Sequence, residues 1–563
     1  MEITRKKRIL MVNDGSPLHS GYSTYGREIL SRLHQTGKYE IAELACYISV
    51  EDANFKKYNP PWLVYPNAVK PDDDRFNDYK NTTENTYGLW RFDRVCIDFE
   101  PDIVFDIRDP WMFNFIFNSP ARPYFHLALM PTVDSAPQQP HWLEQFSTAD
   151  SILTYTDYGS NVLKENSNIK VVGEASPGVD PNVFKPLIKK SVREFFNLTE
   201  DINIIGTVMR NQRRKLYPDL FKAFRNFIDL CYKNNNSQLA KTTILHCHSS
   251  YPDAGWNIPE LLKEYELSSK VVFTYVCNNI NCGNVKLCTF SPNYYCEKCN
   301  QNSMLQPSTL RGVNSEELSL LYNNMDLYVQ YAVCEGFGMP QAEAAACGIP
   351  IASVNYSAME DVIKYAKGIS VPAKSFYKDP GTWAWRAMPD NDKFAEELYK
   401  FLIKPKSMRK RMGRHALEAS GKYWNWDKTA KVWEDHFDSI ELTDLQGKWH
   451  VEPKEISQNY KNMSFSDFKD LNINDFVRSG ILKILQDPSL LNSIYEHKHI
   501  NSLIYQKSTS GDSFNQHVTK EMVFNEFIYR ANKYCAFREA LINRDKLQAQ
   551  DFITFAKQRK SLV

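Results

Sequence analysis

Short, almost unbroken apolar runs recur along the chain, and most are followed by a segment whose apolar residues repeat at helical spacing. The runs lie at residues 8–13, 103–106, 124–130, 151–155, 203–210, 244–248, 271–276, 326–331, 351–354 and 368–371. A strand that is apolar on both faces is typical of a parallel sheet covered by helices. Strands that alternate with helices predict βαβ units with ligands at the carboxyl ends of the strands. The pattern therefore predicts an α/β fold.

The chain has 563 residues, which is too long for one hydrophobic core and indicates two or three domains. A proline-rich stretch at residues 177–186 separates two sets of strands, and we predict that it links two domains. Residues 446–563 form a polar, aromatic-dotted stretch with helical periodicity. This last stretch predicts a helical accessory domain, whose role in acceptor or oligomer contacts stays open.

The charge of the chain is nearly balanced, with 68 basic and 67 acidic residues. No global field therefore draws it to nucleic acid or to a membrane. We find no apolar run of about 18 residues and expect no signal peptide. Twelve cysteines are a level typical of cytosolic proteins. These observations predict a soluble protein located in the cytoplasm.

Residues 331–350 carry the strongest candidate for a ligand site. The apolar run before them leads into a turn with two glycines, which let the backbone pass close to a ligand. Pro340 suits the first turn of the helix that follows, and the open amides of such a helix start attract phosphate. Glu335 at the strand end and Glu343 inside the helix are placed to accept protons from the hydroxyl groups of sugars.

Residues 335–343 closely resemble the paired-glutamate motif of retaining, nucleotide-sugar-dependent glycosyltransferases of the GT-B fold, family 4 type. The resemblance implies that Glu335 and the backbone amides after it hold the donor sugar. It also implies that Glu343 holds the ribose of the nucleotide. The donor-binding amides are those of Gly336, Phe337, Gly338 and Met339.

This resemblance extends over residues 8–440 and implies two Rossmann-like domains that face a cleft. Residues 1–180 are expected to form the acceptor-side domain, with residues 424–440 crossing back onto it. Residues 187–423 are expected to bind the nucleotide sugar.

Arg210 and Lys215 follow the first strand of the second domain and match the basic pair that clamps the donor diphosphate in this family. The chemistry needs such a pair, because the leaving nucleoside diphosphate develops negative charge that fixed cations stabilise. The neighbouring Arg213 and Arg214 are expected to be solvated or to help in part.

Loops of the first domain add further candidates. Gly21, Tyr22 and Ser23 lie in a loop at residues 14–26, expected to precede a helix, that faces the donor phosphates in the family. Asp134 is our choice for a catalytic contact to the donor sugar or the acceptor. Two further aspartates at strand ends, Asp106 and Asp109, rank behind it. For each aspartate, helix capping or a loop hydrogen bond is the alternative.

Five cysteines crowd into residues 277–306, which are inserted in the second domain relative to the family. One pair is spaced by five positions and the other by three, the pattern of a zinc ribbon, and the cytosolic context disfavours disulfides. We predict a structural Zn²⁺ on Cys277, Cys282, Cys296 and Cys299, with Cys288 as a substitute ligand. The ribbon is expected to shape the acceptor entrance, bind a partner, or only staple the loop.

The resemblance implies transfer of a hexose from a nucleotide sugar with retention of anomeric configuration. UDP is the commonest donor nucleotide among relatives, and GDP and ADP stay open. The resemblance also implies that the leaving phosphate takes the acceptor proton, so no protein nucleophile is expected. A catalytic metal is not expected either, because Arg210, Lys215 and the helix start already carry the phosphate charge. The extra domain and ribbon favour a macromolecular acceptor, such as a glycan or a protein. The alternatives are a viral enzyme acting on modified DNA bases in the host cytoplasm, and a non-catalytic module of GT-B fold.

Overall fold

The computed structural model describes residues 5–52, 58–279, 282–308, 311–441, 449–453, 464 and 520–543. Within them, the first sheet holds seven parallel strands in the order β3-β2-β1-β4-β5-β6-β7. Its strands are β1 Lys7–Asp14, β2 Tyr39–Cys46, β3 Leu63–Pro66, β4 Ile103–Asp106, β5 His126–Leu129, β6 Ser151–Thr154 and β7 Val171–Glu174. Its helices are α1 Gly21–Gln35, α2 Phe76–Lys80, α3 Phe92–Phe99, α4 Pro110–Phe117, α5 Pro140–Thr148 and α6 Asp157–Asn166, with a π-helix at Asn85–Leu89 and a 3-10 helix at Arg122–Tyr124.

The second sheet, in the same described ranges, holds nine strands in the order β12-β13-β10-β9-β8-β14-β15-β16, with β11 paired to β10. The strands are β8 Asn203–Val208, β9 Thr243–His248, β10 Val271–Cys277, β11 Val285–Cys288, β12 Tyr294–Cys296, β13 Gln301–Leu305, β14 Leu327–Gln330, β15 Ile351–Val354 and β16 Ile369–Val371. A separate hairpin pairs β17 Ala373–Lys378 with β18 Trp385–Pro389. The helices are α7 Lys189–Phe195, α8 Tyr217–Lys233, α9 Ser237–Thr242, α10 Ile258–Glu264, α11 Ser315–Asn324, α12 Met339–Ala346, α13 Ala358–Ala366, α14 Asn391–Leu402 and α15 Lys406–Tyr423.

Each apolar run of the sequence overlaps one of the central strands, and these strands are buried almost throughout. The reason is that both faces of each parallel sheet are covered by helices, so alternation of polar and apolar residues is lost. In the cysteine-rich insert the strands pair in antiparallel fashion, β11 with β10 and β12 with β13.

One local prediction is wrong. The loop predicted at residues 14–26 ends early, because Ser20 caps α1 by accepting from the amide of Ser23 at 3.1 Å. Gly26 therefore lies inside α1, where an added Cβ would collide with the side chain of Asn13 on β1.

We call the first sheet with its helices the first half of the molecule, and the second sheet with its helices the second half. Helix α16 Trp426–Ser439 packs on the first sheet. Trp433 is fully buried there, and its Nε1 donates to the hydroxyl of Tyr25 at 2.8 Å. The chain thus returns to the half that it left at residue 177. At this second crossing the amide of Val179 donates to the carbonyl of Trp424 at 3.1 Å, and an added Cβ on Gly178 would collide with the backbone of Trp426.

The accessory domain predicted at residues 446–563 lies mostly outside the described residues. Its described part includes helix α17 Lys520–Ile542, which contacts the first half through an ion pair of 3.1 Å between Lys533 and Asp93. Phe537 and Leu541 are buried against the same half. Among the described helices, none combines the length and apolar character of a membrane span.

Candidate active site

The glycine turn, residues 335–338, precedes α12 and places the start of this helix at the junction of the two halves. Strand β14 ends at Gln330, so Glu335 lies in the following loop rather than at the strand end as predicted. Gly338 has φ of 84°, a left-handed conformation that favours glycine. The helix begins with Pro340 in its first turn and stops before Gly348, whose φ is 72°. The turn leaves the first amides of α12 without a side-chain cap.

Glu335 is almost fully buried and is surrounded by cations and amides. Its carboxylate accepts from the ammonium group of Lys215 and, at 2.8 Å, from Nη1 of Arg214. The side-chain amide of Gln330 donates to it at 2.5 Å. Of the two arginines expected to be peripheral, Arg214 is therefore part of this site. A carboxylate with these charge-assisted bonds has a fixed orientation.

Arg210 lies on the same basic segment as Arg214 and Lys215, residues 210–215, but it has a different partner. Its guanidinium makes a bidentate pair with Asp253, at 2.7 and 2.9 Å, and is about half exposed. The loop that carries Asp253 also contacts the basic segment through Trp256, whose Nε1 donates to the carbonyl of Lys215 at 2.7 Å. The loop after β9 thus braces both predicted phosphate-binding residues.

Residues of the first half face the glycine turn directly. The Tyr22 hydroxyl bonds to Asp109 at 2.8 Å and to Thr132 at 2.9 Å. An added Cβ on Gly336 would lie 2.5 Å from Cγ2 of Thr132, and one on Gly21 would lie 3.8 Å from Sδ of Met339. The structure therefore brings the first turn of α1 next to the glycine turn. Ser23 is buried near the same helix start and serves the cap of α1.

The three candidate aspartates of the first half differ in what they contact. Burial raises the pKa of Asp109 to about 6, against the hydrogen bond from Tyr22. Asp106 is fully buried in a pair with Arg108 and does not reach the glycine turn. Asp134 does reach the second half, where Arg386 donates to it at 3.0 Å.

Arg386 on β18 is the site residue that sequence reasoning missed. It also contacts Sγ of Cys334, at 2.6 Å, and that thiol donates to Asp134 at 3.1 Å. Burial acts to raise the pKa of Asp134, but Arg386 and the hydroxyl of Ser135 outweigh it and hold this pKa below its ordinary value. Asp134 is thus a carboxylate at neutral pH, fixed beside Cys334, the residue that precedes Glu335.

Glu343 lies in the middle of α12 and is hydrogen-bonded to the hydroxyl of Tyr322 at 2.7 Å. Burial raises its pKa to about 7, with the Tyr322 hydrogen bond acting in the opposite direction. Its carboxylate therefore changes charge near neutral pH, and it lies apart from the ion pairs around Glu335.

Four cysteines of the insert converge. Their sulfur atoms all lie within 4.8 Å of one another, with 3.5 Å between Cys277 and Cys299 and between Cys282 and Cys296. A tetrahedral zinc with Zn–S bonds of about 2.3 Å requires sulfur atoms separated by about 3.8 Å, which this group matches. Cys288 is outside the group and lies opposite Phe273 in the β10–β11 pair.

The insert also contacts the loop that braces Arg210. Phe290, in the turn after β11, packs edge-on against Tyr251 with 5.4 Å between ring centroids. Tyr251 is two residues before Asp253, the partner of Arg210. The insert is thus linked to the loop that carries Asp253 through the side chains of Phe290 and Tyr251.

Comparison with protein families finds one match, in which residues 308–418 match the family described as glycosyl transferases group 1. The matched segment contains the glycine turn, Glu335 and Glu343, and it supports a role in glycosyl transfer. No curated protein gives a significant match.

Several solved structures share the fold at low sequence identity. Sucrose-phosphate synthase from Thermosynechococcus elongatus aligns with a TM-score of 0.54 and 15% identity, over 77% of this chain and 100% of that chain. A glycosyltransferase from Rickettsia africae aligns with 0.52 and 14%, over 78% and 100%. HepE from Anabaena, in complex with UDP and glucose, aligns with 0.53 and 10%, over 77% and 100%. The α/β fold of GT-B type predicted from the sequence is confirmed.

Proposed function

We propose that this protein is a retaining glycosyltransferase that moves a hexose from a nucleotide sugar, UDP-hexose by preference, to a macromolecular acceptor. The observation that carries the proposal is the convergence at the glycine turn. There, the buried Glu335 is held by Lys215 and Arg214 just before the start of α12, opposite Tyr22 in the first turn of α1. A glycosyl donor needs hydroxyl acceptors for its sugar and cations for its diphosphate, and this junction offers both.

The diphosphate would lie at the start of α12, where uncapped amides and the helix dipole favour negative charge. Lys215, Arg214 and Arg210 lie on one segment beside this position. As the bond to the sugar breaks, charge grows on the leaving phosphate, and these fixed cations stabilise it. Arg210 would exchange part of its pair with Asp253 for the phosphate.

On the sugar, the fixed carboxylate of Glu335 would accept hydroxyl hydrogen bonds. Asp134 would act from the opposite wall, where Arg386 keeps it ionised and oriented. The leaving phosphate would take the proton of the acceptor hydroxyl on the same face of the sugar, which keeps the anomeric configuration. No protein nucleophile takes part in this course.

The nucleoside would extend along α12, where Glu343 would accept the ribose hydroxyls. The choice of UDP draws support from HepE and its complexes with UDP and with UDP-glucose, which share this fold. The identity is only 10%, so the sugar and the nucleotide are part of the proposal.

A structural Zn²⁺ on Cys277, Cys282, Cys296 and Cys299 is a separate part of the proposal. Four thiolates at these separations form the donor set of a closed tetrahedral site, which keeps no position for substrate. The contact of Phe290 with Tyr251 supports a role in holding the loop that braces Arg210.

The test is incubation of the full chain with UDP-glucose, UDP-galactose, UDP-N-acetylglucosamine, GDP-mannose and ADP-glucose. Released nucleotide is measured by chromatography, and the anomer of the released sugar is measured by NMR before mutarotation. We expect release from one donor as the α-anomer. Glu335→Gln should lower turnover about a hundredfold or more, whereas Glu396→Gln, an exposed control on α14, should not. Release of the β-anomer would contradict retention, and no release from any donor would contradict the proposal.

A further inference from the structure

The hairpin formed by β17 and β18 exposes an unusual concentration of aromatic side chains. Phe376 and Tyr377 are 49% and 41% exposed, and Trp383 and Trp385 are 51% and 46% exposed. Large aromatic groups gain free energy by leaving water, and Tyr and Trp are enriched at interaction sites.

This aromatic hairpin is fixed at the junction of the two halves. The amide of Trp385 donates to the carbonyl of Ala136 at 2.8 Å, and the side-chain amide of Gln139 donates to the carbonyl of Gly381 at 2.9 Å. On the other side, the amide of Ala387 donates to the carbonyl of Val333 at 3.1 Å. The hairpin therefore bridges both halves beside the glycine turn.

The register of the hairpin connects one of its aromatic residues, Tyr377, to the candidate active site, whereas Phe376 and Trp385 lie on the opposite face. Tyr377 lies directly opposite Arg386, so their side chains share one face of the hairpin. Arg386 reaches Asp134 and Cys334 from that face. Burial raises the pKa of Tyr377, with the charge of Asp379 adding to it. An acceptor that lies along this face would lead straight to the reacting sugar.

A second exposed aromatic residue lies on the first half. Trp111 is 45% exposed and follows Asp109 by two residues, at the start of α4. It packs against Trp142 on α5 with 6.0 Å between ring centroids. The N-cap of α5 is Gln139, which bonds the turn of the hairpin. Aromatic groups thus border the junction on both sides.

We propose that the aromatic hairpin is an acceptor subsite that binds the pyranose rings of a saccharide, an inference that rests on the function proposed above. The C–H face of a pyranose packs on an aromatic ring, while its equatorial hydroxyls bond to polar groups at the ring edges. Asp379, Thr382 and Arg386 supply such groups on and beside the turn.

Single-stranded nucleic acid also stacks on aromatic side chains, but it needs a positive groove along its backbone. Lys374 lies 3.8 Å from Asp392, and Lys378 packs over the ring of Trp385 at 4.6 Å. Because Lys374 is accompanied by Asp392 and Lys378 packs on the ring of Trp385, each lysine is already engaged by another side chain, and the surface favours a neutral saccharide.

The experiment measures binding of maltohexaose, cellohexaose, chitohexaose and a single-stranded DNA oligonucleotide to the full chain by calorimetry. The variant is Tyr377→Ala/Trp383→Ala, which removes the exposed ring on the face of Arg386 and the exposed ring in the turn. Its control is Tyr232→Ala, a comparably exposed aromatic residue at the far end of α8. We expect the wild type to bind at least one hexasaccharide, the double variant to bind it about tenfold more weakly or worse, and the control to match the wild type. Thermal melting verifies that each variant is folded.

The subsite is overturned if the wild type binds no hexasaccharide, if the double variant binds as well as the wild type, or if only DNA binding depends on the two aromatic residues. Should the double variant not fold, Trp111→Ala on the opposite border replaces it, with the same expected loss of hexasaccharide binding. Release of UDP from UDP-glucose in water by the wild type tests the proposed function separately, because it needs no saccharide.

Discussion

Nη1 of Arg386 lies 3.0 Å from Oδ1 of Asp134, a residue 252 positions earlier in the chain and on the other half of the molecule. The pair closes the junction on the side where the acceptor would enter. It also explains why Asp134 stays ionised, because the guanidinium and the hydrogen bonds from Ser135 and Cys334 together outweigh the effect of burial on the pKa of Asp134.

Replacement of Arg386 by alanine should leave Asp134 without its cation in a largely buried position. We expect the free energy of unfolding to fall by roughly 2 kcal/mol at pH 7, measured by urea denaturation. Asp134 has a depressed pKa in the native protein, so its contribution is present above the unfolded pKa and is lost as the pH falls through the native value. The difference between variant and wild type should therefore shrink toward pH 3.

Its control is Arg225→Ala, which removes an i,i+4 pair with Asp229 on the surface of α8 and should cost less than about 1 kcal/mol. An equal cost for both variants, or a cost for Arg386→Ala that does not change with pH, would contradict the role given to this pair.

Glu343 should make donor binding depend on pH near neutrality. Its carboxylate accepts ribose hydroxyl bonds better than its protonated form does, and burial raises its pKa to about 7. We expect UDP-glucose, whose diphosphate does not titrate there, to bind several-fold more tightly at pH 8 than at pH 6. Glu343→Gln should bind weakly at both values. A wild-type affinity that is constant over this range would contradict the assignment.

The same group should destabilise the native protein as the pH rises. Because its native pKa lies above the ordinary value, its contribution to stability is full below about pH 4.5 and is lost as the pH rises through about 7. Glu343→Gln should remove this fall, which urea denaturation at several pH values measures. A slope that the substitution leaves unchanged would assign the titration to another group.

The cysteine cluster should hold one zinc per chain, measured by mass spectrometry of the metal. Cys296→Ser should lose it, because three thiolates leave the site open to water and to chelators. Cys288→Ser is the matched control and should retain the metal, since Cys288 lies outside the group. A zinc-free native protein whose mass is lower by four hydrogens would instead indicate two disulfides.

Glycine should be required at position 336 because this residue lies too close to Thr132 of the other half to accommodate a Cβ. Gly336→Ala would place a Cβ 2.5 Å from Cγ2 of Thr132, and we expect it to cost about 1–3 kcal/mol of unfolding free energy together with weaker donor binding. Thr132→Ser removes Cγ2 and keeps the hydroxyl, so the double variant should recover most of the loss.

The comparison for this cycle is Gly421→Ala, on exposed α15, where no atom lies within 4 Å of the added Cβ. That substitution should raise stability by about 0.5–1 kcal/mol. Additive effects of Gly336→Ala and Thr132→Ser would mean that the two residues do not meet in solution.

The sequence pattern was a good guide to the central strands and to the helix start at residue 339, because burial on both faces and glycine chemistry are local properties. Glu335 and Lys215 were likewise identifiable, since each belongs to a short motif. Arg386 was not, because its role depends on a hydrogen bond across two halves and its own neighbours are two exposed tryptophans and a hairpin strand. No local spacing carries that information.

Arg214 illustrates a second limit. Its sequence context is three consecutive cations at residues 213–215, and a run of this kind is usually solvated. Only the antiparallel bridge between Lys215 and Ala332 brings the run beside the glycine turn, where Arg214 reaches Glu335. Which member of a charge run points inward is decided by such a tertiary contact.

Within the described residues, the polypeptide passes between the two halves at Val179 and at Trp424, and these two passages are hydrogen-bonded to each other. Two connections that coincide act as a single pivot. If the gap between the sheets widens, the two halves would rotate about this point as a hinge and would slide little past each other. Away from the hinge, the two halves contact each other where Asp361 accepts from the amide of Tyr158 at 2.9 Å and where Arg386 pairs with Asp134. In the proposed reaction, release of the nucleotide product would require these two contacts to break together, while the hydrogen bond between Val179 and Trp424 stays intact.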